Sequence, residues 1–124
     1  MNINIKATNI ELDEPLKIWV NEKFIELKKL LDPFKNDDGK RALTQLFVEI
    51  GRTSKHHNKG DVYRAEAQIQ LPKKLLRAES TNADLRTAII ETRDELSGQI
   101  IVYRGKRVTR ARKWARFAKE KFLR

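Results

Sequence analysis

The sequence contains no cysteine and no long apolar run. Without thiols the chain can form neither a disulfide framework nor a thiolate metal site, which suits a reducing compartment. Residues 1–20 lack the basic start and the unbroken apolar segment of a signal peptide, and no stretch reaches the roughly 18 apolar residues that a spanning helix needs. We therefore expect a cytoplasmic protein that is neither secreted nor inserted in a membrane.

Glycine is sparse, and the signatures of enzyme sites are missing. The five glycines form neither a GxGxxG turn nor a Walker loop, either of which would cradle phosphate. The two histidines, His56 and His57, have only Asp61 nearby as a further ligand, and adjacent side chains in an extended tip point to opposite sides. Ser54, with His57 and Asp61, makes a poor catalytic triad, because such triads draw on distant parts of a rigid scaffold. We expect no enzyme activity, no metal, no cofactor and no small-molecule substrate.

The N-terminal part predicts a strand followed by a helix. Apolar and polar residues alternate over residues 2–7, the period of a half-buried strand. Asp13 can cap a helix that has Pro15 in its first turn and ends before Pro33. The apolar positions of this helix follow helical spacing: Leu16, Val20, Phe24, Leu27 and Leu31. Three side chains outside this stripe are candidates for a phosphate-facing surface: Lys17, Lys28 and Lys29.

Alternation predicts three more strands, over residues 45–50, 62–71 and 75–80. Polar, turn-forming segments at 33–41 and 51–61 read as loops, and the first lacks the spaced acidic ligands of a calcium loop. The polar side of the sheet is expected to be solvated, with Glu66, Gln68, Gln70 and Arg77.

A long helix follows the fourth strand. Its apolar stripe is predicted to dock on the core and contains Leu85, Ile89, Thr92, Leu96, Ile100 and Tyr103. Arg86, Arg93 and Arg104 recur at helical spacing, so they should form a basic ridge beside the stripe. Trp19, Phe24 and Tyr103 lie on predicted core stripes, where we expect packing rather than base stacking.

The predicted order of elements is β-α-β-β-β-α. At 124 residues and 40% hydrophobic content, the chain has the size of one domain with a modest core. Each helix has one apolar stripe and each strand one apolar face. We therefore expect an α+β fold in which two helices pack on one face of a four-stranded mixed sheet. Residues 1–104 should form this domain, and 105–124 a basic C-terminal extension.

Positive charge is concentrated in the extension. Residues 104–124 contain ten Lys or Arg and one acidic residue, whereas the other 103 residues contain 17 basic and 16 acidic residues. Such segregation favours a polyanionic partner, such as nucleic acid or an anionic membrane, over an acidic small molecule. A solvated terminus without a partner is the alternative.

The extension predicts a second helix after an interruption at Gly105, with Thr109 as its cap. One face of this helix would contain Ala111, Trp114, Ala115, Ala118 and Phe122. The helix can fold back on the domain, lie against RNA with Trp114 stacked, or rest on a membrane surface. We favour RNA, since the preceding domain has a basic ridge and no membrane feature. The candidate contacts are Lys106, Arg107, Arg110, Arg112 and Lys113.

Several short segments together resemble the ribosome hibernation promoting factor family, also called ribosome-associated inhibitor proteins. The segments are His57–Gly60, Ala65–Ile69, Leu76–Glu79, Asp84 with Ala88-Ile89, Arg93–Leu96 and Gln99-Ile100. Residues 2–5 and the pattern of the first helix are similar too, so the likeness covers about residues 1–104.

The resemblance implies the β-α-β-β-β-α fold and binding to the 16S rRNA of the small ribosomal subunit, between its head and body. Family members cover the sites of messenger and transfer RNA there, and so silence idle ribosomes. The positions that match the family's rRNA-facing basic residues are Lys23, Lys28, Lys29, Arg86, Arg93 and Arg104. The extension is too short to be the dimerising second domain of longer members, so we expect a short form that is monomeric when free.

Two other interpretations compete with this one. A general double-stranded RNA-binding module also places a helix pair on a sheet, and it predicts comparable affinity for naked duplex RNA and for ribosomes. A small enzyme or metal protein would use His56 and His57, but their ligand set is sparse.

Overall fold

The computed structural model describes residues 2–31, 44–53, 62–71 and 73–122, and of residues 106–122 it describes the backbone. The strands are β1 (Asn2–Thr8), β2 (Gln45–Arg52), β3 (Tyr63–Leu71) and β4 (Lys74–Asn82). The helices are α1 (Glu14–Ile25), α2 (Lys28–Leu31) and α3 (Leu85–Phe122). With α1 and α2 in the place of the first predicted helix, the predicted α+β order is confirmed.

The four strands form one mixed sheet in the order β1-β2-β3-β4. β1 is parallel to β2, and the other two pairs are antiparallel. The register places Ile5, Val48, Ala67 and Ala78 in one row across the sheet. Because side chains alternate along a strand, this row and its equivalents form one apolar face, which the helices cover.

The core lies between that face and the helices. Phe24 of α1 and Ile89, Leu96 and Ile100 of α3 are fully buried. Thr92 is buried among them, and its hydroxyl donates to the Ala88 carbonyl oxygen over 2.8 Å. The stripes predicted from helical spacing are therefore the buried faces of the helices.

The first helix begins as predicted but ends early. The Leu16 amide donates to the Asp13 carboxylate over 2.9 Å, which makes Asp13 the N-cap. The prediction of one helix reaching Leu31 is wrong, because α1 ends at Ile25. The Leu27 amide donates to the carbonyl three residues earlier, so the chain tightens there before α2 begins.

α3 is a single helix of 38 residues. The predicted interruption at Gly105 and the new cap at Thr109 are wrong, since both residues lie inside α3. A glycine within a helix costs only about 1 kcal/mol relative to alanine, and the flanking lysines, arginines and alanines favour helix. In the part of the chain that the structure describes, no helix combines the length and the apolar character needed to cross a membrane.

Asp84 caps α3. The amide of Thr87 donates to the Asp84 carboxylate over 2.9 Å, and the Thr87 hydroxyl donates to the same oxygen over 2.6 Å. These hydrogen bonds, with a smaller contribution from the charge of Arg86, lower the pKa of Asp84. The cap fixes where α3 leaves the end of β4.

The face of the sheet opposite the helices is mostly polar, with Phe47 and Leu75 exposed on it, and its charges balance. A row across it contains Lys6, Glu49, Glu66 and Glu79. Arg77 donates to Glu66 over 2.6 Å, and Arg64 forms ion pairs with Glu66 and Glu79. The hydrogen bond from Arg77 lowers the pKa of Glu66. Three cationic and three acidic residues of the described strands thus offset one another on this face.

Two glycines are expected to respond to alanine in opposite ways. Gly51 pairs with Thr8, and an added Cβ would lie 2.6 Å from the Thr8 carbonyl oxygen. Gly51→Ala should therefore lower the free energy of unfolding by about 1–3 kcal/mol. At Gly98 no described atom lies within 4 Å of an added Cβ, so Gly98→Ala should raise it by about 0.5–1 kcal/mol. Urea unfolding of both variants checks this, and a change of the same sign would contradict it.

Candidate nucleic-acid interface

α1 and α3 lie side by side on the sheet. The guanidinium carbon of Arg86 lies 5.0 Å from the centre of the Trp19 ring. Farther along, Arg93 donates to the Glu26 carboxylate over 3.0 Å. The contacting residues advance by seven positions on both segments, so the two helices run in the same direction.

Trp19 joins a cation from each helix. In addition to Arg86, the ammonium nitrogen of Lys23 lies 5.6 Å from the centre of the same ring. The indole is half-buried and packs against the core. Cation–π contacts at partly exposed surface sites stabilise by about 0.5–1 kcal/mol each. The cations of α1 and α3 therefore converge at one aromatic side chain.

Arg93 is held differently. It forms ion pairs with Glu26 over 3.0 Å and with Asp94 over 2.8 Å, and 19% of its side chain is exposed. Two carboxylates thus offset its charge. In this arrangement Arg93 connects α3 to the end of α1, and it contributes less free positive charge than its position in the sequence predicts.

The remaining predicted cations of the domain are exposed. Lys28 and Lys29 lie on α2, and Arg104 lies on α3. Arg104 is about five helical turns beyond Arg86, so both project from the same side of α3. We call Lys23, Lys28, Lys29, Arg86 and Arg104 the helical basic surface.

Lys17 is exposed but lies apart from this surface. It is about 200° around α1 from Trp19, on the flank away from α3. For five further predicted contacts the structure shows only that the backbone is helical: Lys106, Arg107, Arg110, Arg112 and Lys113. Their contact with RNA stays a prediction.

The structure describes no site for metal chemistry. Within residues 2–31, 44–53, 62–71 and 73–122, no three His, Cys, Asp or Glu side chains lie close enough to hold an ion. His56, His57 and Asp61, and the loop predicted at 33–41, fall outside the described residues.

Sequence reasoning missed the role of one aromatic residue and two acidic ones. Trp19 was predicted only to pack, although its spacing of four residues from Lys23 is a visible sign of a cation–π pair. Its contact with Arg86 has no sequence signal, because 67 positions separate the two residues. Glu26 and Asp94 were missed because their partner, Arg93, was expected to belong to a basic ridge that faces rRNA.

Comparisons with known proteins agree with this architecture. Residues 3–108 match the model of the family described as sigma 54 modulation protein / S30EA ribosomal protein. A ribosome hibernation promotion factor from Deinococcus radiodurans is 29% identical over 96 residues, which cover 77% of this chain and 45% of that protein. The chain thus spans about half the length of this curated relative.

Solved structures with the same fold support the match. The N-terminal domain of Protein Y from Thermus thermophilus is 27% identical, with a TM-score of 0.65 over 83% of this chain and 99% of that one. A ribosomal subunit interface protein from Coxiella burnetii is 12% identical, with a TM-score of 0.61 over 85% of this chain and 99% of that one. At that identity the second likeness shows the fold alone.

Proposed function

Because the chain belongs to the sigma 54 modulation protein / S30EA ribosomal protein family, we propose that it is a ribosome hibernation factor. It binds the 16S rRNA of the small ribosomal subunit, in the channel for messenger and transfer RNA, and blocks translation in idle cells. Its similarity to a protein named ribosome hibernation promotion factor supports this role.

The observation that carries the proposal is the meeting of Lys23 and Arg86 at Trp19. Among the residues that the structure describes, neither cation has a carboxylate within ion-pair distance. Neither cation is therefore held in an ion pair within the described part of the chain, and both can contact an external anion. Lys28, Lys29 and Arg104 extend the same exposed helical layer.

The mechanism requires binding only. Lysine and arginine side chains of the helical basic surface neutralise rRNA phosphates and release counterions, which gives affinity that depends on RNA shape and salt rather than base sequence. The bound domain occupies space that messenger and transfer RNA need. The protein acts in the cytoplasm as a monomer when free, without catalysis, cofactor or small-molecule substrate.

The two parts of the chain contribute together. The domain of residues 1–104 supplies the helical basic surface, and residues 105–124 add a basic extension that continues along the RNA. Because α3 runs through the boundary without a break, the extension leaves the domain in a defined direction.

Cosedimentation of the purified chain with small ribosomal subunits tests the proposal. If the five cations of the helical basic surface and the five candidate cations of the extension each contact a phosphate, the logarithm of the association constant should fall against the logarithm of salt concentration with a slope of about −8. Cell-free translation should be inhibited over the same range of protein concentration.

A competition experiment separates this function from a general double-stranded RNA-binding module. Naked duplex RNA at equal phosphate concentration should displace the chain poorly from small subunits. Equal competition would support the general module, and absence of binding to subunits at low salt would refute the proposed function.

A further inference from the structure

We propose that Trp19 is a positioning residue of the RNA interface, which sets the place of Lys23 and Arg86 without neutralising them. This inference rests on the proposed function, because it names what arranges two of the cations of the helical basic surface. Trp19 itself is not assigned a contact with RNA.

The indole is fixed while the two cations are long and flexible. Trp19 packs against the core cluster, so its ring is held by the fold. Lys23 and Arg86 approach that ring to 5.6 and 5.0 Å from its centre, from two different helices. Side chains of this length lose rotamer freedom when they bind a phosphate. Contact with the ring reduces that loss before RNA arrives.

Arg93 shows what happens to the charge when carboxylates, rather than an aromatic ring, hold a cation in place. Its guanidinium is positioned by Glu26 and Asp94, and each of these carboxylates offsets positive charge. An aromatic ring attracts a cation through its quadrupole and has no net charge. Trp19 can therefore hold two cations near each other and leave both available to a polyanion.

Nuclear magnetic resonance of the free protein tests the positioning without any ribosome. Ring currents should shift the side-chain methylene protons next to the Lys23 ammonium and the Arg86 guanidinium upfield. Trp19→Leu, which keeps an apolar side chain, should abolish both shifts, and Trp19→Phe should retain part of each. Unshifted protons in the unsubstituted protein would overturn the positioning, whatever the protein binds.

A binding cycle on small ribosomal subunits tests the consequence. Trp19→Leu should weaken binding roughly tenfold, and Trp19→Phe less than threefold, as expected when the ring reduces the ordering cost of two long side chains. In a Lys23→Ala, Arg86→Ala background, Trp19→Leu should have no further effect. Thermal unfolding of each variant shows whether the fold has been lost.

The other outcomes are distinguishable. A tenfold loss that persists in the background lacking both cations would mean that Trp19 contacts RNA or only supports the fold, and it would overturn the inference. An unchanged affinity of Trp19→Leu would do the same. Failure of the unsubstituted chain to bind subunits refutes the proposed function and leaves the magnetic resonance test of the positioning intact.

Discussion

Removing residues 106–124 is expected to weaken binding to small ribosomal subunits by roughly 100-fold at moderate salt, because this segment contains nine basic residues and one acidic residue. If its five candidate cations each contact a phosphate, the salt slope should become shallower by about 4. Cosedimentation at several salt concentrations measures both quantities. An unchanged slope would show that the extension makes no phosphate contacts.

A full-length variant separates charge from length. Replacing Arg107, Arg110, Arg112 and Lys113 by glutamine keeps a residue that favours helix and removes four charges. It should reproduce most of the loss caused by truncation. If it binds normally while the truncated chain does not, the apolar residues of the extension are responsible. If truncation instead lowers the unfolding temperature, the extension packs on the domain.

Reversing the charge of Lys23 and Arg86, the two cations at Trp19, should weaken binding to small subunits as much as truncation does, or more. Lys23→Glu combined with Arg86→Glu places two negative charges where phosphates are expected, and juxtaposed like charges cost several kcal/mol, which is about 100-fold or more in affinity. Both sites lie at the surface, so the unfolding temperature should change by only a few degrees. Titration of small subunits with the labelled variant measures the loss.

Lys17→Glu is the matched control for Lys23→Glu made alone. It makes the same change of charge on the same helix, at an exposed site on the flank of α1 away from α3. We expect its affinity to stay within about threefold of the unsubstituted chain, since it adds only a screened, long-range repulsion. Equal losses at Lys17 and Lys23 would show that net charge, rather than the helical basic surface, determines binding.

The elements of the fold were readable because their signals are local. Alternation located all four strands, and Asp13 with Pro15 located the start of α1. The two wrong predictions, the end of the first helix and the interruption at Gly105, arise where weak local conformational preferences compete. Gly105 disfavours helix slightly, but its neighbours favour it more. The change to tighter hydrogen bonding after Phe24 has no counterpart in the spacing of apolar residues, which continues through Leu27.

The candidate site was only partly readable. Helical spacing correctly placed Arg86, Arg93 and Arg104 on one helix. It gave no means of knowing that Arg93 meets Glu26 while Arg86 meets Trp19, because those contacts depend on how α1 and α3 lie next to each other. Sequence spacing predicts which residues share a face of one helix. Contacts between α1 and α3 determine which cations of this surface remain unpaired.

The balanced ion pairs on the open side of the sheet have a consequence for how the molecule approaches its partner. Arg64 and Arg77 cancel Glu66 and Glu79 there, while the helical layer keeps uncompensated cations. The sheet face therefore offers a polyanion little net attraction, whereas Lys23 and Arg86 can attract phosphate at short range. Encounters that begin with the helices forward are therefore retained longer than those that begin on the strands, which raises the share of productive encounters.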